Sequence, residues 1–154
     1  MSNPYNTDLD RNPANYQPLT PLTFLQRTAS VFPQHTAIIH GALRRNYADF
    51  YSRSKQLASS LAKTGIDRGH TVSVMLANTP AMLECHYGVP MSGGVLHSIN
   101  TRLDPASIAF QLDHAEAKIV IVDQEFMPAM QSALKTTTAK PLLIQYQDDQ
   151  YNDL

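Results

Sequence analysis

Residues 89–123 read VPMSGGVLHSINTRLDPASIAFQLDHAEAKIVIVD. Gly93-Gly94 is a chain-turning pair, and Val95–Ile99 is an apolar strand. Asn100-Thr101-Arg102 follows as a polar knuckle at the strand's carboxyl end. Asp104-Pro105 opens a helix, because an Asp side chain caps free amides and a proline at the first helical position loses no hydrogen bond. Leu103 is placed to staple onto Ile108. Lys118–Val122 is a second strand with no polar alternation, the mark of a strand covered on both faces. Two apolar strands joined through a helix specify a β-α-β unit with the strands parallel.

The same grammar extends in both directions. Thr71–Ala77 (TVSVMLA) reads as a central strand. Thr79-Pro80 repeats the cap-then-proline device for a helix running to about Met91, despite Pro90. Downstream, a helix is expected over roughly Gln124–Lys135 and a strand at Leu142–Gln145. Upstream, Thr20-Pro21 opens a helix with Leu19 stapling onto Phe24. Its apolar side is Phe24, Leu25, Thr28 and Phe32, and Pro33 ends it. Thr36–His40 and Leu43–Tyr47 form a hairpin about Gly41-Ala42. A helix follows from about Ala48 to Thr64, closed by Gly65 in a left-handed cap. The fold class is therefore α/β, a mostly parallel sheet flanked by helices. The expected organisation is an extended arm over 1–18, an α/β subdomain over 19–146 and a polar tail over 147–154. That tail, QDDQYNDL, follows directly on a strand, as in a chain cut inside a larger domain.

Composition excludes several classes. Twelve basic and 13 acidic residues leave a net charge of -1, which gives no electrostatic footprint for nucleic acid. The one cysteine, Cys85, allows no internal disulfide and suits a reducing compartment. The first residues have neither the basic nor the apolar run of a secretory signal, and no stretch is long enough to span a bilayer. A cytoplasmic setting is expected, with peripheral membrane contact left open.

Most candidate chemistry reads as structure. The six histidines share no ligand spacing, so no metal site is expected. Cys85 lies in an apolar helix with no base beside it, the setting of a buried, unreactive thiol. Gly93-Gly94 precedes a strand, where it serves as a turn and not as an anion cradle. The run Thr136-Thr137-Thr138-Ala139-Lys140-Pro141 resembles a phosphate loop but lacks its glycines and follows a helix, so it reads as a helix end and linker. Asp148-Asp149 is expected to be a solvated pair in the tail. The Asn100-Thr101-Arg102 knuckle differs, because ligands of open parallel sheets gather at strand carboxyl ends. Arg102 suits a phosphate or carboxylate, and Asn100 can donate and accept. Equally, Asn100 can cap the turn and Arg102 pair with Asp104.

The segment from Pro90 to Leu103, PMSGGVLHSINTRL, resembles the second core motif of the adenylate-forming acyl-CoA synthetases. Asp113–Asp123 resembles the segment that follows it, and Arg45–Phe50 (RNYADF) is similar to the first core motif, with Asn46 in place of the usual Thr. Ala14–Pro21 and Phe24-Leu25 resemble the opening of the fatty-acyl subgroup. The resemblance implies a two-step ligase: a carboxylate attacks ATP to give an acyl-adenylate, and the thiol of coenzyme A displaces AMP. The parent would use ATP, coenzyme A and Mg²⁺ with a fatty acid or related carboxylate. The glycine-rich phosphate loop, the later nucleotide motifs and the catalytic lysine of that family are absent from residues 1–154, so no catalytic residue carries over. Asn100, Thr101 and Arg102 match a segment placed toward the coenzyme A side. The resemblance also implies a homodimer contact through the arm and first helices. The expectation is an N-terminal portion, inactive alone. The competing readings are a stand-alone α/β interaction or dimerisation module and a small flavodoxin-like nucleotide binder.

Overall fold

The computed structural model describes residues 10–148. A capping box opens α1 (Pro21–Val31): the Thr20 hydroxyl accepts from the Thr23 amide at 3.2 Å, and the Thr23 hydroxyl accepts from the Thr20 amide at 3.0 Å. The expected staple pair is not buried, since Leu19 and Phe24 are 83% and 56% exposed. Only Leu25 of this helix is buried. Strands β1 (Thr36–His40) and β2 (Leu43–Asn46) form an antiparallel hairpin. Asn46 then caps α2 (Tyr47–Lys63), its side chain accepting from the Asp49 amide at 2.8 Å. The residue that departs from the family pattern thus retains a capping role.

The second sheet carries the fold. Strands β3 (Thr71–Met75), β4 (Val95–Ser98), β5 (Ile119–Asp123) and β6 (Leu142–Tyr146) are all parallel, in the order β4-β3-β5-β6. Alternation along β3 sends Val72 and Val74 to one face and Met75 to the other. On the first face α2 and α3 (Pro80–Met91) bring Leu61, Cys85 and Val89 against Ile119 and Ile121. On the second, α4 (Pro105–His114) and α5 (Met127–Leu134) bring Ile108, Leu112 and Met130 against Val120 and Val122. All five residues of β5 are buried, as an unalternating strand requires. Each fully buried aliphatic side chain contributes about 1.5–3 kcal/mol. Leu103 packs on the cluster that holds Ile108, as expected of a staple. A smaller cluster of Leu25, Ile38 and Phe50 seats α1 and the hairpin.

Two glycines are needed where they stand. Gly93 turns the chain into β4 with φ +86°. Gly88 lets α2 and α3 approach, since a Cβ there would lie 2.7 Å from Leu57 Cδ2 and 2.9 Å from Leu57 Cβ.

Several expectations are corrected. Thr79 occupies the N-cap of α3, yet its hydroxyl makes no capping bond. The single helix expected after β5 is a 3-10 turn, Gln124–Phe126, followed by α5, because the proline at the start of α5 resets the chain. Asp148 is not a solvated tail residue: it is 5% exposed, and His40 Nε2 lies 2.7 Å from its Oδ2. Its neighbour Asp149 lies outside the described residues, as does most of the 147–154 tail and the first half of the 1–18 arm. No helix among the described residues is long and apolar enough to cross a membrane.

Candidate functional site at the strand ends

The strand order locates a crevice. The chain leaves β3 for β4 on one side, then returns across β3 to lay β5 on the other. At such a switch point the loops after neighbouring strands diverge and open a cleft at their carboxyl ends. The cleft here has a volume of about 550 Å³. Asn78 borders it from the β3–α3 connection, Met82 from α3, Asn100, Thr101 and Arg102 from the loop after β4, and Glu125 from the 3-10 turn after β5.

The knuckle is held by its own turn. Asn100 Oδ1 accepts from the Arg102 amide at 2.9 Å, so the turn-capping reading is correct for that oxygen. The pairing of Arg102 with Asp104 is not made. Asp104 is occupied as the cap of α4, accepting from the Ala106 and Ser107 amides at 2.9 and 3.0 Å and from the Ser107 hydroxyl at 2.6 Å. The Ser107 bonds hold its carboxyl below the usual range. Arg102 is exposed and forms no ion pair with any described residue. It therefore presents a fixed positive charge to the cleft.

Asn78 and Glu125 are site residues that the sequence reading missed. Both follow strand ends, but only the order β4-β3-β5 reveals that their loops converge with the knuckle. Asn78 and Met82 also border a second cleft of about 360 Å³ between the hairpin and α3, which includes Ile39 and Leu83.

A buried polar cluster underlies the crevice on the α2/α3 side. Asp123 ends β5 and pairs in register with Tyr146 of β6. Asp123 Oδ1 accepts from the Glu125 amide at 3.1 Å, while Oδ2 is buried without a hydrogen bond among the described residues. Burial pushes the Asp123 carboxyl up, and burial together with the Asp148 carboxylate pushes the Tyr146 phenol up. Glu84 is 6% exposed and accepts from Arg45 Nη1 at 2.5 Å and Arg53 Nε at 2.6 Å. Beside it, burial pushes the Cys85 thiol up to about 12, so it remains protonated and inert at neutral pH.

Elsewhere the polar groups serve the fold. Ser73 and His97 share a hydrogen bond at 2.9 Å between β3 and β4. The Thr136–Pro141 run does receive an anion, but that anion is the carboxylate of Asp113. Among the described residues no group of three or more His, Cys, Asp or Glu is arranged to hold a metal ion.

Comparison with known proteins identifies the family and the fold. Residues 25–153 match the family model described as AMP-binding enzyme. An acetate–CoA ligase of Humulus lupulus is 46% identical over 128 residues, covering 83% of this chain and 22% of the relative. A peroxisomal benzoate–CoA ligase of Arabidopsis thaliana is 48% identical over 119 residues, covering 77% of this chain and 20% of the relative. The crystal structure of a benzoate CoA ligase from Burkholderia xenovorans LB400 superposes with a TM-score of 0.76 at 25% identity, over 82% of this chain and 25% of that one. The chain thus spans about a fifth of the length of the curated relatives it matches. With the family model covering most of its residues and the fold reproduced, the chain belongs to the AMP-binding enzyme family.

Proposed function

We propose that this chain is the N-terminal portion of an ATP-dependent acid–thiol ligase. The parent joins a carboxylate to coenzyme A through an acyl-adenylate, releasing AMP and pyrophosphate. This portion supplies part of the thiol-donor side and none of the adenylation machinery. The observation that carries the assignment is the unpaired Arg102 guanidinium, held by the Asn100 turn at the switch-point cleft. An always-charged guanidinium suits the phosphates of coenzyme A. ATP and Mg²⁺ act on residues outside this chain, whose sequence has no glycine-rich phosphate loop and whose described residues hold no carboxylate set for a metal. The isolated chain is therefore inactive as a ligase.

The acid is also chosen elsewhere. Relatives named for acetate, butyrate and benzoate are 46–48% identical to this chain. A segment that set acid size would not agree equally well with all three. Two of those names include the word peroxisomal. We place the enzyme in a reducing interior compartment, cytosol or peroxisome.

The test is a titration of the isolated chain with coenzyme A followed by amide NMR. Saturable shifts at Asn100–Arg102 and Glu125, lost in R102A, are expected. Release of AMP from ATP and a fatty acid by the chain alone would refute its inactivity.

One observation favours self-association as a second property. Phe24 and Val31 on α1 and Leu19 just before it are 56%, 53% and 83% exposed, an apolar face that no described residue covers. Sedimentation of the chain and of a Phe24→Ser variant tests it. A monomer in both excludes the dimerisation module.

A further inference from the structure

Arg102 and Glu125 border the switch-point cleft from opposite sides. Their loops follow β4 and β5, which flank β3, so the strands they leave stand two strand spacings apart, roughly 10 Å. Among the described residues they do not pair: Arg102 makes no ion pair, and Glu125 bonds through its backbone amide, to Asp123. No other charged residue lines the cleft. Between them Asn78, in the connection that follows β3, brings a neutral carboxamide to the cleft lining. The cleft is thus a fixed cation, a neutral donor–acceptor and a fixed anion, in that order across the sheet.

We propose that Glu125 is a specificity-determining residue of this cleft. It favours a ligand in which a phosphate is joined to an arm bearing neutral N–H and O–H groups, and it disfavours a contiguous polyphosphate. The inference rests on reading the cleft as the thiol-donor side. Coenzyme A has the favoured pattern, since its phosphates lead into an arm with amides and a hydroxyl. With a phosphate on Arg102, that arm crosses Asn78 and donates to the Glu125 carboxylate, and hydrogen bonds to an ionised acceptor are roughly twice as strong as neutral ones. The triphosphate of ATP has no donor to offer. Anchored on Arg102, it directs further negative charge toward Glu125, and like charges across the cleft repel at low ionic strength. One carboxylate thereby separates the two adenine-nucleotide substrates of a single ligase.

The experiment measures coenzyme A and ATP binding to the full 154-residue chain by calorimetry at low ionic strength, with EDTA present so that no divalent ion masks the phosphates. The variants are E125Q, E125K and R102A. Glu125 is exposed and its side chain bonds nothing, so E125Q and E125K keep the fold and the amide bond to Asp123. The wild-type chain is expected to prefer coenzyme A by about fivefold, the scale of one partly exposed charge interaction. E125Q brings the two affinities within about twofold, chiefly by tightening ATP, and E125K reverses the preference. R102A weakens both ligands. An unchanged ratio in E125Q and E125K, with R102A still weakening both, overturns the role of Glu125 and leaves the cleft assignment standing. No saturable coenzyme A binding, or binding indifferent to R102A, overturns the cleft assignment itself.

Discussion

The carboxylate of Asp113, at the end of α4, is seated in the turn after α5, where the Ala139 amide donates to its Oδ1 at 2.8 Å. The Thr137 hydroxyl donates to the same oxygen, and the Thr138 amide donates to Oδ2 at 3.2 Å. These bonds, the Thr137 hydroxyl foremost, hold the Asp113 carboxyl down at about 2 against an ordinary 3.8. A depressed carboxyl stabilises the fold fully above its unfolded value and loses that contribution as pH falls to the folded one. Urea midpoints for the wild type should therefore drop between pH 3.8 and about 2. D113N, lacking the charge, should be less stable at pH 7 and converge with the wild type at the acid end. Equal midpoints at pH 7 would show that the seat contributes nothing.

Glu84 is the most vulnerable charged residue. It is nearly enclosed and joins three elements, with Arg45 from β2 and Arg53 from α2 meeting it on α3. Removing it strands Arg45, whose side chain is 20% exposed, beside Arg53. Breaking a buried ion pair from one side costs about 3–5 kcal/mol. E84A should lose an amount in that range by urea denaturation. R53A should lose at most about 1 kcal/mol, because its side chain is 46% exposed and Arg45 continues to neutralise Glu84. A larger loss in R53A than in E84A would invert this account.

The sheet was legible because its signals are local. Asp104-Pro105 caps α4 as a sequence rule requires, and the unbroken apolar run of β5 could only be covered on both faces. The cleft was half legible. Arg102 follows a strand end, which a sequence displays. Asn78 and Glu125 join it only through the order β4-β3-β5, which depends on pairing between distant segments. Long-range contacts also account for the errors. The partner of Asp148 is His40, 108 residues away, and the anion in the Thr136–Pro141 turn comes from Asp113. No local window contains either pair.

Gly88 tests how tightly α2 and α3 are apposed. Alanine is the better helix former by about 1 kcal/mol, so propensity alone favours Gly88→Ala. The new methyl would meet Leu57 Cδ2 at 2.7 Å and Leu57 Cβ at 2.9 Å. A terminal methyl can rotate aside, but a Cβ moves only with its helix. Overpacking of this kind costs about 1–3 kcal/mol, and here it should outweigh the propensity gain. A net loss of stability is expected, partly recovered in the double variant with Leu57→Ala. A more stable single variant would mean that the helices can part freely.

Asp123 is held against its electrostatic preference. It is 3% exposed, with Oδ2 lacking a hydrogen bond. Burial, with the Glu125 and Asp148 carboxylates nearby, raises its carboxyl, and the single Glu125 amide bond lowers it less. With the folded value raised above 3.8, the native state binds the extra proton, so this contribution to stability is full below the unfolded value and lost as pH rises through the folded one. D123N retains the acceptor for the Glu125 amide and removes the charge. It also places an amide donor in the field of the nearby Asp148 carboxylate. D123N should therefore be more stable than the wild type at pH 7, on the order of 1 kcal/mol, and indistinguishable below pH 3.8, where the wild-type carboxyl is already neutral. A D123N chain less stable at pH 7 would mean that Oδ2 has a strong donor in solution. A stabilising result would make Asp123 a carboxylate kept at the switch point at a cost to the fold.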